Sequence, residues 1–303
     1  MHDRVPDGPA IRKTTDQLLR KADAYGRWPT PVDDIVAAAG LFEPRDSLLS
    51  TLVIEQAPAH IKRALRKITG RVLAVLDRKN REIHIDPSLH IEGQRAFKKL
   101  HEVGHDILPW QKALAYADDE ATLSLSIRRT FEWQANVSAA ELLFQGERFR
   151  ELASEYVTGI ASVIELSNTV GSSLHATFRR FVEEHKNAVA GVVLELSPSG
   201  RSPTAYRRRE VFSSQTWGSR FGDPYSWPRI LVENPFVFVN DAETAFLTRD
   251  AIPGTQKYPD LNNELVSVNY EVFCNRYNHF VLIWIPTREF LRRRRTLLVP
   301  SAM

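Results

Sequence analysis

Apolar and polar positions in the first half of the chain recur mostly with a helical period. Ile11, Leu18, Leu19 and Ala22 share one face of a predicted helix over 10–26, which Gly26 closes. Thr30-Pro31 offers an N-cap and an N1 proline for a short helix from Val32 to Ala39, stopped by Gly40. Ile61, Leu65 and Ile68 predict another amphipathic helix over 58–68. The period then shortens to two. Arg71 to Asp77 reads as a strand, Arg78 to Arg81 as a polar turn, and Glu82 to Asp86 as the second strand of a hairpin. A helix from Gly93 to Asp106, with Pro109 beyond its end, and a long helix over 119–145 follow.

Residues 147–186 continue as short helical segments with a break at Val170-Gly171, and beyond Ala188 the pattern turns to strands. These cover 189–196, 209–213, 230–239, 264–274 and 278–285, separated by Pro, Gly and Asn. The expectation is an α+β fold in three parts: an α-rich domain with a short hairpin over 1–146, a helical middle segment over 147–188, and a β-rich C-terminal domain over 189–303. No internal repeat or low-complexity segment interrupts this order.

Composition narrows the class. The 303 residues are 43% hydrophobic and 25% charged, close to the globular average, which excludes disordered and fibrous chains. A single cysteine, Cys274, allows no internal disulfide framework, fits a reducing compartment, and reads as a small buried hydrophobe in a strand. Forty basic against 37 acidic side chains give +3, too mild to imply nucleic acid by itself. Met1 to Gly26 has no apolar secretion core, and no stretch nears the roughly 18 apolar residues of a membrane helix. A cytoplasmic protein with no membrane partner is therefore expected.

The chemistry concentrates in His101-Glu-Val-Gly-His105. On a helix, His101 and His105 lie one turn apart on one face, so both imidazoles can reach one metal ion. Glu102 sits about a third of a turn round, where its carboxylate can act on a water molecule without ligating the metal. A third ligand is needed, and the pattern HExxHxxGxxH is absent because Asp-Ile-Leu-Pro-Trp follows His105. Glu132, on the next predicted helix, is the candidate. Asn136, four residues on, can hydrogen-bond a ligating histidine. Glu141 is expected to face solvent.

Three stretches together resemble the IrrE/ImmA family of zinc metallopeptidases, bacterial enzymes that cleave helix-turn-helix transcriptional repressors. They are Pro31-Val-Asp-Asp-Ile-Val-Ala-Ala-Ala-Gly40, Arg95-Ala-Phe97 running into His101–His105, and Glu132-Trp-Gln-Ala-Asn136 with Ala139-Ala-Glu-Leu-Leu143. The resemblance spans 14–145. It implies one zinc ion held by His101, His105 and Glu132, with Glu102 as the catalytic carboxylate. It also implies a repressor substrate cut during a stress response of the DNA-damage type. Lys98-Lys99 replaces the usual small and apolar residues before the motif, and Phe144-Gln145 the usual Met-Pro after the third stretch. The α-then-β order is similar to the radiation-response branch, which carries a helix-turn-helix-like middle segment and a GAF-like sensory domain.

Other residues have plainer readings. His84, His90, His175, His185 and His279 read as structural or solvated, although one could donate to an oxyanion. Ser172 to Arg180 reads as a packing helix before a recognition helix. Arg292, Arg293, Arg294 and Arg295, and the smaller run Arg207 to Arg209, could touch phosphates or a partner. Charge runs near chain ends are usually solvated, so DNA contact is not favoured. Two functions follow. One is a zinc endopeptidase whose extended substrate adds to the hairpin edge ending in Glu82 to Asp86. The other is a DNA-binding transcriptional regulator with a structural metal. A structural site has no need of Glu102, which favours the first. Oligomeric state is left open.

Overall fold

The computed structural model describes residues 7–50, 73–117, 125–195 and 205–286. The helix expected over 58–68 and the run Arg292 to Arg295 lie outside these residues. The chain divides into two units, Met1–Glu151 with Ser167–Ser173, and Leu152–Leu166 with Leu174–Met303. The α+β class is as the pattern predicts.

The first unit is built on helices α1 (Gly8–Lys21), α2 (Val32–Ala38), α3 (Glu92–Ile107), α4 (Pro109–Ala117) and α5 (Leu125–Leu143). The hairpin β1 (Ala74–Asp77) and β2 (Glu82–Ile85) packs on α3. Leu100 and Val103 of α3 bury against a helix whose inner face carries Ala135, Ala139 and Leu142. Small side chains on α5 and Gly104 on α3 bring the two backbones close. A Cβ at Gly104 would lie 3.0 Å from the Ala135 carbonyl oxygen and from Ser138 Cβ, so a larger residue would push the helices apart.

Arg81, at the hairpin turn with φ 63°, locks this arrangement. Its guanidinium forms a bidentate pair with Asp106 at the end of α3, one arm at 2.8 Å, and donates to the carbonyls of Ala39 and Gly40 after α2. The outer edge of β2 is already engaged: Ile83 N donates to Phe42 O at 2.9 Å, and Phe42 N to Arg81 O at 3.1 Å.

Three helices, α6 (Glu147–Ala153), α7 (Ile160–Val170) and α8 (Leu174–Glu183), occupy the stretch read as short helical segments. In the second unit α8 packs on a six-stranded antiparallel sheet of order β5-β4-β3-β8-β7-β6. The strands are β3 (Val189–Glu195), β4 (Ala205–Ser213), β5 (Ile230–Val232), β6 (Ile252–Pro259), β7 (Leu265–Cys274) and β8 (Asn278–Trp284). The two central strands, β3 and β8, are buried along almost their whole length, which is why they read as continuous apolar runs. Phe178 of α8 stacks edge-to-face on Phe280 at 5.3 Å on one sheet face. The other face carries Val192, Val272, Val281 and Ile283 against Trp217 and Phe238, with α9 (Gln215–Phe221) and α10 (Ala242–Thr248) contributing to that layer.

Two expectations need correction here. The strand over 230–239 ends at Val232, because Pro235 supplies no backbone donor, and Val237–Val239 forms a 3₁₀ turn. Glu141 does not face solvent: α5 packs against both α1 and α3, and Glu141 is buried. The stretch Ser172 to Arg180 includes Arg180, which is buried and paired with Glu184 at 2.8 Å. Cys274 is buried in β7. Among the described residues, no helix is long and apolar enough to cross a membrane.

Candidate metal centre

Helical spacing stacks His101 and His105 on the face of α3 that meets α5, and the close approach at Gly104 sets the distance between the two helices. The two Nε2 atoms lie 3.1 Å apart. Glu132 on α5 reaches both, with Oε2 at 3.3 Å from His101 Nε2 and Oε1 at 3.5 Å from His105 Nε2. These three ligand atoms lie within 4.8 Å of one another.

The other ring nitrogens fix which way the imidazoles face. His101 Nδ1 lies 3.0 Å from Asn136 Oδ1, and His105 Nδ1 lies 2.8 Å from Gln111 Oε1. An amide oxygen only accepts, so each Nδ1 donates and each Nε2 presents its lone pair to the same point. Two lone pairs and a carboxylate converging on one point are the donor set of a divalent cation. The residues fit a zinc-type ion on this chemistry. When the rings instead carry a second proton, each Nε2–H faces the Glu132 carboxylate, and these contacts hold its pKa far below the ordinary carboxyl range. Burial opposes a charge on His105, but Glu132 and Gln111 outweigh it and raise its pKa.

Gln111 is an anchor that sequence reasoning missed. Its Nε2 donates to Gln134 Oε1 at 2.8 Å, Trp110 Nε1 donates to the same oxygen at 2.9 Å, and Gln134 Nε2 donates to Asp7 Oδ2 at 3.0 Å. The signal available was Pro109, which starts a new helix rather than merely ending α3 and so turns Gln111 back toward His105.

Glu102 is 9% exposed and lines the same cavity, of about 380 Å³, with His101, His105 and Glu132. Burial raises its pKa, and the two histidines pull it back only in part. Leu73 to Leu76 form one wall, with Arg78 and Lys98 as the cationic members of the lining.

The remaining histidines lie elsewhere. His84 Nδ1 accepts from Leu48 N at 3.2 Å, and His185 Nδ1 accepts from Asn187 N at 3.1 Å. His175 faces Glu210, and His279 is enclosed in the second unit. His90 is exposed. Of the smaller arginine run, Arg208 donates to the Pro224 carbonyl and Arg209 to Asn278 Oδ1.

Residues 54–181, which span this site, match the family model of the IrrE N-terminal-like domain of the M78 peptidases. Over that stretch the chain is similar to the IrrE/ImmA family. The matched domain is metallopeptidase-like, and the His101, His105 and Glu132 cluster inside it is a group that could hold a metal ion. Among solved structures, a Mycobacterium tuberculosis transcriptional regulator has a similar fold, with a TM-score of 0.53 at 12% identity. That match covers 97% of this chain and 81% of the other. No curated protein matches the chain.

Proposed function

We propose that the protein is a zinc-dependent endopeptidase that cuts a helix-turn-helix transcriptional repressor in the cytoplasm, releasing a stress response of the DNA-damage type. The observation that supports it is the convergence of two Nε2 lone pairs and the Glu132 carboxylate beside Glu102, a buried carboxylate outside the ligand cluster. Zinc held by His101, His105 and Glu132 would supply a Lewis acid for the scissile carbonyl. Glu102 accepts a proton from the attacking water and passes it to the leaving amine. Asn136 and Gln111 keep the imidazoles in the tautomer that binds metal.

The substrate backbone lies along β1 rather than β2, a change from the edge expected on sequence. Phe42 occupies the outer side of β2, whereas β1 residues wall the cavity and, among the described residues, β1 pairs only with β2. A regulator with a purely structural metal would leave Glu102 without a role.

Co-expression with the helix-turn-helix repressor encoded nearest its gene tests the proposal. One discrete repressor fragment should appear and should vanish when a zinc chelator is added to the purified pair. An intact repressor under metal-replete conditions would overturn it.

A further inference from the structure

Two lysines stand side by side on α3 one turn before the metal motif, and the fold uses them differently. Lys99 is tied down, with Nζ 2.7 Å from Asp33 and 2.8 Å from Glu43, and its side chain is 12% exposed. Lys98 precedes His101 by three residues and Glu102 by four, so it stands on the same helix face as both. It lines the cavity, and among the described residues no ion pair fixes it. Arg78 brings a second cation to the lining from the turn that ends β1. The anionic side chains there are Glu102 and Glu132, one placed for proton transfer and one for the metal.

A peptide added along β1 would run past this strand end and over the Lys98 face of the helix, sending alternate side chains into the cavity. A carboxylate at such a position would accept charge-assisted hydrogen bonds from Lys98 and Arg78 in a partly dehydrated space. A lysine or arginine there would face like charge. We infer that Lys98, with Arg78, selects substrates that carry an aspartate or glutamate beside the scissile bond. This rests on the peptidase reading above, and names the class of segment the site accepts.

The test uses the zinc-loaded full chain and a peptide library randomised around a central position, with cleavage products sequenced. Aspartate and glutamate should be enriched about tenfold or more over lysine and arginine at one position flanking the cut. Lys98→Glu should reverse that preference at the same position, and Lys98→Gln should flatten it, both with normal zinc content as evidence of folding. In parallel, zinc-loaded Glu102→Gln protein should capture acidic peptides from the same library without cutting them.

If nothing is cut but acidic peptides are still captured, the selectivity stands and the peptidase reading falls. Cleavage without acidic enrichment, or a preference unchanged by Lys98→Glu, overturns the inference. So does an equal loss of turnover on every peptide, which would place Lys98 on the transition state instead. A library neither cut nor selectively captured overturns it as well.

Discussion

His101 and His105 in the first unit and His279 in the second are all largely buried, yet their rings are held in opposite ways. Each of the first two donates from Nδ1 to an amide oxygen and aims Nε2 at a shared point where a carboxylate waits. His279 is 2% exposed on β8, beside the rings of Tyr206 and Phe246 and across the strand pair from Cys274. Neither of its nitrogens makes a hydrogen bond of normal geometry among the described residues. Burial alone therefore does not mark a histidine as functional. What marks the first pair is a second ring of amides that spends its hydrogen bonds on orientation, and an open cavity on the far side.

The first way to break this comparison is to loosen the frame that holds the pair. Arg81→Ala leaves the buried Asp106 carboxylate without its guanidinium, and should destabilise the first unit by about 3–5 kcal/mol. Hydrogen exchange along α3 would report it as lost protection. Unchanged protection would mean that the hairpin is held by its apolar face alone.

A smaller effect is expected one step from the metal. Gln111→Leu removes the acceptor that orients His105, and should weaken zinc binding about 10–100-fold while leaving the ligands in place. Competition with a chromophoric chelator measures this. An unchanged affinity would remove the distinction drawn between oriented and merely buried rings.

The effect smallest at neutral pH concerns His279. Burial lowers its pKa from 6.5 to about 4. The folded chain thus refuses a proton that the unfolded chain accepts, so full stability is present above pH 6.5 and declines as pH falls toward 4. The slope from this one group is at most about 1.4 kcal/mol per pH unit. His279→Leu should flatten that part of the decline in urea melts, leaving what His175 and His185, also lowered by burial, contribute. A decline as steep as before would show that His279 is protonated in the folded state.

Sequence patterns made some of this legible because the interactions are local. The i, i+4 spacing of His101 and His105 and of Glu132 and Asn136 needs only a helix to become a face. The central strands β3 and β8 announce themselves by unbroken apolar runs. What stayed hidden depends on contacts distant in sequence. Glu141 looks exposed on a helical wheel, yet it is buried once α5 packs against both α1 and α3. β6 contains Pro253 and Gly254 and alternates weakly, and it exists because β7 offers it a full ladder. Nothing in the spacing of Gln111 says that a helix restarting at Pro109 will point it at His105. The choice of β1 over β2 as the free edge likewise turns on Phe42, forty residues before the hairpin's second strand.

The central claim is that metal binding and proton transfer reside in different residues of one cavity, and Glu102→Gln tests it most directly. The amide keeps the size of the side chain but cannot take the water proton, so purified Glu102→Gln protein should hold about one zinc per chain and cut nothing. His101→Ala and Glu132→Gln, measured beside it, should lose zinc and activity together. Zinc content by mass spectrometry and repressor cleavage on the same three preparations give the answer. A Glu102→Gln protein that still cleaves, or that loses its zinc as the ligand variants do, would contradict the account.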